Sequence, residues 1–226
     1  YYPDKFNYSK LNNFGVAHAK GDFYVLMNND IEVLQENWME QMLSNCEREE
    51  VGIVGARLYY PDNTIQHAGL VIGIGGSLRG IGANLYQGMR RERSGYLHRA
   101  AFQMNYSAVT AALMMVKKEV YEKAGGFEEE LSVAFNDVDF CLRVRNIGYL
   151  IVYDPLVEAY HYESKSRGAE DSPEKVARFQ AEIEFMRNRW EDLLKKGDPN
   201  YNIHFSRVRA DYSLGDPEMI LRQNRK

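Results

Sequence analysis

The feature of the sequence that most constrains its fold is a strand–helix–strand succession early in the chain. Residues 22–27 (DFYVLM) and 51–56 (VGIVGA) are short apolar runs rich in branched and aromatic side chains, which is typical of buried strands. Between them, from Glu36 to Glu47, apolar residues recur at spacings of three and four, the period of a helix. This order predicts an α/β layer with a right-handed crossover.

Later segments continue this alternation. Gly125-Gly126 matches a helix C-cap, and Pro173 is suited to the first turn of a long helix that begins with acidic and ends with basic residues. We predict helices at 12–19, 118–124, 138–147 and 173–196, and further strands at 105–116 and 149–153. Residues 197–226 are polar and poorly periodic. We therefore predict that the α/β domain covers residues 1–196 and that residues 197–226 form a tail that wraps the surface or is partly disordered.

A cluster of glycines lies between Gly69 and Gly88. Its spacing fits neither the dinucleotide fingerprint nor the P-loop, because no Lys-Ser or Lys-Thr follows and no helical period begins there. We therefore predict a flexible surface loop or lid at 73–88 rather than a phosphate-binding loop.

Composition excludes several classes of protein. Lys and Arg number 28 against 32 Asp and Glu, a formal net charge of -4, which argues against nucleic acid as the main partner. No apolar run approaches the roughly 20 residues of a membrane-spanning helix. Cys46 and Cys141 lie far apart in apolar contexts, which predicts neither a disulfide nor a zinc site and fits a reducing compartment. The sequence starts at Tyr1 without a signal segment, so we expect a longer parent protein.

Three polar clusters follow predicted strands or begin predicted helices: Asn28-Asn29-Asp30, residues 136–139 with Asp137 and Asp139, and His161 with Glu163. Each alone is more often a turn, a helix cap or a hydrogen-bonded surface group than a ligand or catalytic group. Together they offer hard oxygen donors and one imidazole, which suit Mg²⁺ or Mn²⁺ better than zinc, and a carboxylate for proton transfer. That combination is what the transfer of a group from a diphosphate requires.

Four segments follow one another in a recognisable order: FNYSKLNNFGVAHAKGDFYVLMNNDIEV, NYSAVTAALMMVKKEVYEKAGGF, FNDVDFCLRVRNIGYLIVYDP and HYESKSRG. In this order they resemble the family 2 glycosyltransferases of the GT-A fold, and among them the bacterial enzymes that build O-antigen, rhamnan and capsule chains. This resemblance implies an α/β, Rossmann-like mixed sheet flanked by helices. Relatives begin with strands that hold the base and ribose, and these are missing here. The resemblance therefore implies the C-terminal catalytic part of a longer enzyme.

The resemblance also implies roles for individual residues. Asn28-Asn29-Asp30 matches the DxD position in its NND form, with Asp30 the expected ligand of a diphosphate-bound metal and with the two asparagines beside the donor. Asp137 matches the catalytic base, and Asp139 is expected to be a helper or a structural cap. His161 matches the histidine that completes the metal shell.

Two further segments match the family's pattern. Residues 164–168 resemble a loop that closes over the donor diphosphate, with Lys165 and Arg167 as expected phosphate contacts. Thr110-Ala111-Ala112 stands where relatives often have Thr-Gly-Ala before the acceptor pocket, and the added methyl group is expected to narrow backbone access to the sugar.

The implied reaction is inverting: a sugar passes from a nucleoside-diphosphate donor, with Mn²⁺ or Mg²⁺ as cofactor, to a hydroxyl of a polysaccharide or lipid-linked acceptor. The implied location is the cytoplasm, at the inner face of the membrane. Two interpretations stay open for the basic end, Arg222 to Lys226: peripheral contact with anionic headgroups, and a solvated tail, which the small size of the patch favours. The sheet edge left by the missing strands is expected to pair with a second copy, giving a homodimer, or to leave the isolated chain partly unfolded and inactive.

Two other functions fit parts of the sequence. A non-catalytic module that binds carbohydrate or a partner chain would keep the acidic motifs only as caps. A metal-dependent nucleotidyltransferase also pairs a strand-end Asp with an α/β sheet, but the sequence lacks a glycine-rich nucleotide loop and a basic triphosphate cluster. The joint presence of Asp30, Asp137 and His161 favours descent from an active glycosyltransferase.

Overall fold

The computed structural model describes residues 5–75, 80–163 and 172–216. The helices in these ranges are α1 Tyr8–His18, α2 Trp38–Cys46, α3 Lys118–Ala124, α4 Asn136–Asn146, α5 Pro173–Arg189 and α6 Glu191–Lys196. The strands are β1 Phe23–Met27, β2 Ile31–Val33, β3 Val51–Tyr59, β4 Ile65–His67, β5 Leu70–Ile72, β6 Gly82–Asn84, β7 Met104–Tyr106, β8 Leu113–Lys117 and β9 Leu150–His161.

A mixed seven-stranded sheet forms the centre, in the order β1-β8-β3-β9-β2, with β4 added to β3 and β7 added to β9. β3 runs parallel to β9, while β8 lies antiparallel between β1 and β3. One face packs on α2 through Met42 and Cys46, and the other packs on α3 and α4 through Val120 and Phe140. The predicted α/β mixed sheet flanked by helices is confirmed.

Strand β3 is the core of the sheet, and all nine of its residues are buried. Gly55 lies in its middle, and a Cβ added there would come within 2.4 Å of Val109 Cβ. Glycine is required at this position because residues 107–112 cross directly over the strand. The predicted single strand 105–116 is wrong for this reason: β7 pairs with β9, β8 pairs with β1 and β3, and the residues between must pass from one to the other.

Strand β9 is longer than predicted. It continues past Tyr153 through Pro155 to His161, because the pairing with β3 shifts register after Asp154. The resulting bulge places Pro155 where no ladder hydrogen bond is needed from its nitrogen. The extension carries His161 to the end of the sheet at which β1 also terminates.

The glycine-rich segment is also different from the prediction. β5 and β6 pair as a small antiparallel sheet, and Ile81 and Leu85 are fully buried, so this part of the segment belongs to the core, while Gln87 and Gly88 at its end are exposed. The chain beyond Gly197 covers it. The carboxylate of Asp198 accepts a hydrogen bond from the Ile72 N–H at 2.7 Å, and Ala210 O accepts one from the Tyr86 N–H at 2.9 Å.

The last segments refine three further predictions. The long helix breaks at Trp190 into α5 and α6, and the tail wraps the surface as far as residue 216, with Tyr201 and Tyr212 buried. Cys46 and Cys141 are free and buried, as predicted. Strand β1 is at an edge of the sheet, and within the described ranges it pairs only with β8. None of the helices in these ranges is long and apolar enough to cross a bilayer.

Candidate active site

The turn that follows β1 and the last residues of β9 meet at the same end of the sheet. Ile31 is the register partner of His161, and Tyr162 N–H donates to Asp30 O at 3.0 Å. These backbone pairings bring Asp30 and His161 together, although the sequence separates them widely. The side chain of Asn29 is in the same turn and is exposed.

The ring of His161 lies among three polar side chains. Its Nδ1 is 2.7 Å from Gln66 Oε1, and its Nε2 is 3.2 Å both from Asn28 Nδ2 and from Asp30 Oδ1. When Nδ1 donates its proton to Gln66, the Nε2 lone pair faces the Asp30 carboxylate. Asp30 Oδ1 is buried and has no hydrogen-bond donor within the described part of the chain.

Two lone pairs that face each other, with Asp30 Oδ1 and His161 Nε2 3.2 Å apart, are suited to binding a cation between them. Asp30 Oδ1 and His161 Nε2 supply an oxygen and an imidazole ligand, and both belong to the ligand types that Mn²⁺ and Mg²⁺ accept. The described ranges contain no group of three or more His, Cys, Asp or Glu side chains that could hold a metal. The residues present fit an ion that takes its other ligands from a bound phosphate group and water, as Mg²⁺ usually does.

Asp137 lies at the start of α4, after Phe135 in a left-handed conformation (φ 61°). Its Oδ1 accepts from the Val138 N–H at 2.8 Å, and its Oδ2 accepts from the Ala111 N–H at 3.3 Å. The Thr110 hydroxyl also hydrogen-bonds this carboxylate. Burial raises the pKa of Asp137 above its usual value, and these hydrogen bonds offset only part of the increase.

Residues 110–112 connect the two parts of the site. Ala112 O accepts from the Asn28 N–H at 2.9 Å, while the Ala111 N–H reaches Asp137. The Tyr8 hydroxyl donates to Ala111 O at 2.9 Å and fixes the same loop from α1. The loop therefore sets the spacing between the turn that carries Asp30 and the helix that carries Asp137.

Asp139 lies apart from this site. It is fully buried, and its carboxylate accepts from Arg143 Nε at 2.8 Å, from Trp190 Nε1 at 2.9 Å and from Arg189 Nη1 at 3.3 Å. These contacts join α4 to the end of α5. Of the two roles expected for Asp139, helper and structural cap, the contacts favour the structural one.

Two of the expected phosphate contacts, Lys165 and Arg167, lie outside the described residues. The structure adds two residues that the sequence did not indicate as part of the site, Gln66 and His67, both buried on β4. Their signal in the sequence is weak: two polar residues interrupt the apolar run from Ile65 to Ile72.

Comparison with known proteins gives a consistent result. Residues 3–125 match the family described as Glycosyl transferase family 2. "Uncharacterized protein y4gI" of Sinorhizobium fredii is 48% identical over 96% of this chain, and "O-antigen biosynthesis protein RfbC" of Myxococcus xanthus is 34% identical over 92% of it. The chain spans only 23% and 16% of the length of these two proteins.

Solved structures share the fold at low sequence identity. GalNAc-T7 with UDP, GalNAc and Mn²⁺ has a TM-score of 0.60 at 12% identity, over 84% of this chain and 36% of that one. The mannosyltransferase PcManGT from Pyrobaculum calidifontis, in complex with GDP-Man and Mn²⁺, has a TM-score of 0.53 at 16% identity, over 84% and 48%. Both are glycosyltransferases of the GT-A type, so the fold is assigned.

Proposed function

Because the chain belongs to glycosyltransferase family 2, we propose that it carries the catalytic centre of an inverting, metal-dependent enzyme. In this proposal the enzyme transfers a sugar from a nucleoside-diphosphate donor to a hydroxyl of a polysaccharide or lipid-linked acceptor. The observation that carries the proposal is the meeting of Asp30 and His161 with Asp137 through residues 110–112. The name of the Myxococcus relative, an O-antigen biosynthesis protein, supports a role in cell-surface polysaccharide synthesis, and we infer a cytoplasmic location at the inner face of the membrane.

Asp30 and His161 are the proposed ligands of the cation. A bound Mn²⁺ or Mg²⁺ would neutralise the negative charge that develops on the departing diphosphate. The buried Oδ1 of Asp30, which no donor within the described ranges satisfies, supports this assignment. Asn28 lies against the same imidazole and is placed to orient it, and Asn29 is exposed in the same turn, where the proposal puts the donor.

Asp137 is the proposed base. It takes the proton of the acceptor hydroxyl while that oxygen bonds to the anomeric carbon and the bond to the diphosphate breaks. The raised pKa makes this carboxylate a stronger base than an exposed aspartate. Inversion is supported because Asp139, the other carboxylate of this turn, is held by Arg143, Arg189 and Trp190 and is not available as a nucleophile.

The metal assignment is tested by transfer activity in the natural full-length protein. EDTA should abolish turnover, and Mn²⁺ or Mg²⁺ should restore it. Asp30→Ala should raise the metal concentration required for half-maximal rate by at least about tenfold, while Asp192→Ala on the exposed face of α6 serves as the matched control. Full activity in chelator would exclude the metal-dependent mechanism.

Nucleotide binding and transfer activity, measured side by side, distinguish an enzyme from a non-catalytic binding module. A thermal-shift assay with UDP, GDP or dTDP in the presence of Mn²⁺ reports binding without turnover. Binding of one nucleotide together with transfer to an acceptor supports the proposed enzyme. Binding without transfer to any saccharide acceptor would instead assign a carbohydrate- or partner-binding module.

A further inference from the structure

Strand β4 places two buried polar side chains next to each other. Gln66 is 4% exposed and His67 is 1% exposed, in a strand whose three residues are all buried. A polar side chain loses free energy on burial unless it is hydrogen-bonded. The partners of these two residues therefore indicate why they are retained in the core, and both sets of partners lead to the active site.

Gln66 contacts the imidazole of His161. Its Oε1 is 2.7 Å from Nδ1, on the side of the ring opposite to Asp30. The ring nitrogen that carries the proton is set by the hydrogen bond that the other nitrogen makes. An amide oxygen at Nδ1 holds the proton there and leaves the Nε2 lone pair directed at Asp30.

His67 contacts a different part of the site. Its Nδ1 donates to Asn84 Oδ1 on β6 at 2.7 Å, which leaves Nε2 as an acceptor for the Thr110 N–H at 3.4 Å. Burial lowers the pKa of His67 to about 4, so the ring is neutral and can accept this bond at physiological pH. Thr110 in turn contacts Asp137.

We propose that β4 is a positioning element for the transfer reaction, with its two polar residues acting on opposite halves of the centre. Gln66 fixes the tautomer and orientation of the metal-binding His161. His67 fixes residues 110–112, where the base and the turn after β1 meet. The inference rests on the proposed function, because it assigns these residues to the same site.

The Gln66 arm is tested first without metal or nucleotide. In protein with ¹⁵N-labelled histidine, the ring signals of His161 should report a proton on Nδ1 in the wild type. Gln66→Leu removes the acceptor at similar volume and should shift the proton toward Nε2, while Gln66→Glu keeps an acceptor and should preserve the wild-type tautomer. A wild-type His161 with its proton on Nε2 would overturn the proposal before any variant is made.

Metal binding gives a second measurement. The affinity for Mn²⁺ in the presence of inorganic pyrophosphate can be measured from the electron paramagnetic resonance signal of the free ion. It should fall by at least about tenfold in Gln66→Leu and be unchanged or higher in Gln66→Glu. Equal binding in both variants would contradict the Gln66 arm. If the tautomer of His161 changes as expected but EDTA leaves turnover intact, Gln66 positions the ring as proposed and the metal-dependent mechanism is wrong.

The His67 arm is tested with two amides of different length. Glutamine can place an amide near the former Nε2 and keep an acceptor for the Thr110 N–H, whereas asparagine reaches only the Nδ1 position and its partner Asn84. We expect kcat to be at least about tenfold lower in His67→Asn than in His67→Gln. The Mn²⁺ affinity and the donor KM of the two variants should agree within twofold. Equal kcat in the two variants, with equal thermal midpoints, would reduce His67 to a structural role.

Discussion

Asp137 and Asp139 lie two residues apart in the first turn of α4, and their surroundings are opposite. Asp139 is fully buried, and two guanidinium groups and an indole N–H meet its carboxylate. Asp137 is partly exposed, and the donors that reach it within the described ranges are neutral: backbone N–H groups and the Thr110 hydroxyl. Both carboxylates share the same helix N-terminus, so the helix dipole does not distinguish them.

The difference lies in where positive charge is available. Residues 139 and 143 are one helical turn apart, and Arg143 and the end of α5 reach Asp139 from the side of the helix that faces the core. Asp137 lies on the opposite side, against the loop 110–112, and none of the hydrogen bonds that its carboxylate accepts within the described ranges comes from a cation. A carboxylate paired with arginine is suited to a structural role, while one that is desolvated among neutral donors is suited to the proposed role of base.

The largest effect is expected from removal of the base. Asp137→Asn should lower kcat on the order of 10³-fold, because the acceptor hydroxyl loses its proton acceptor. Affinity for the nucleotide measured by titration calorimetry should stay near that of the wild type, since Asp137 acts on the acceptor. Turnover within a factor of a few of the wild type would exclude Asp137 as base and remove the contrast with Asp139.

The converse experiment removes the anchor. Asp139→Ala leaves two arginines and the Trp190 N–H without their shared acceptor and should cost about 3–5 kcal/mol of unfolding free energy. Chemical denaturation followed by tryptophan fluorescence measures the loss. Asp192→Ala, an exposed aspartate of α6, should change stability by less than about 0.5 kcal/mol. A loss of activity without a loss of stability in Asp139→Ala would assign it to the chemistry instead.

A third buried carboxylate, Glu182 of α5, sharpens the comparison from outside α4. It accepts hydrogen bonds from the Ser132 hydroxyl and the Val133 and Ala134 N–H groups, which precede Asp137 in the chain. Glu182→Gln should cost about 1–2 kcal/mol, because one acceptor becomes a donor that faces N–H groups. Glu184→Gln, on the exposed side of the same helix, is the matched control, and equal stability of the two variants would show that the loop does not depend on Glu182.

The smallest effect concerns pH. Burial raises the folded-state pKa of Asp137 above its ordinary value of 3.8, so the ionised carboxylate destabilises the fold. This cost is fully present at pH values above the folded pKa and disappears below the unfolded one. Asp137→Asn should therefore unfold at a slightly higher temperature than the wild type at pH 7, with the difference shrinking toward pH 4. Scanning calorimetry across that range checks the sign, and a constant difference would contradict it.

Local signals in the sequence were sufficient for some elements and not for others. The strand at Phe23–Met27 and the helix ended by Gly125 follow from short-range period and capping, and the structure confirms both. The continuation of β9 through Pro155 depends on its pairing with β3, which no local pattern encodes. The apolar residues around Val109 resemble one strand because a loop buried over Gly55 needs the same composition as a strand.

The site divides in the same way. Asp30, Asp137 and His161 stand in motifs whose order indicates a family, so the sequence already marked them as candidates. Gln66 lies outside those motifs, and its role depends on a hydrogen bond to a residue almost a hundred positions away. The prediction of a flexible glycine loop failed because Ile81 and Leu85 are buried and because the tail, which composition alone describes only as polar, hydrogen-bonds Ile72 and Tyr86.

The contact between that tail and the β5–β6 pair has a consequence for recombination. Ile72 and Tyr86 are held by Asp198 and Ala210, so two segments more than a hundred positions apart in the sequence pack as one unit. A chimera that takes the glycine-rich segment from one relative and the tail from another would lose complementary packing at Tyr86 and Tyr212, whose rings lie 5.8 Å apart. Exchange of the glycine-rich segment between related chains should therefore succeed when the tail moves with it.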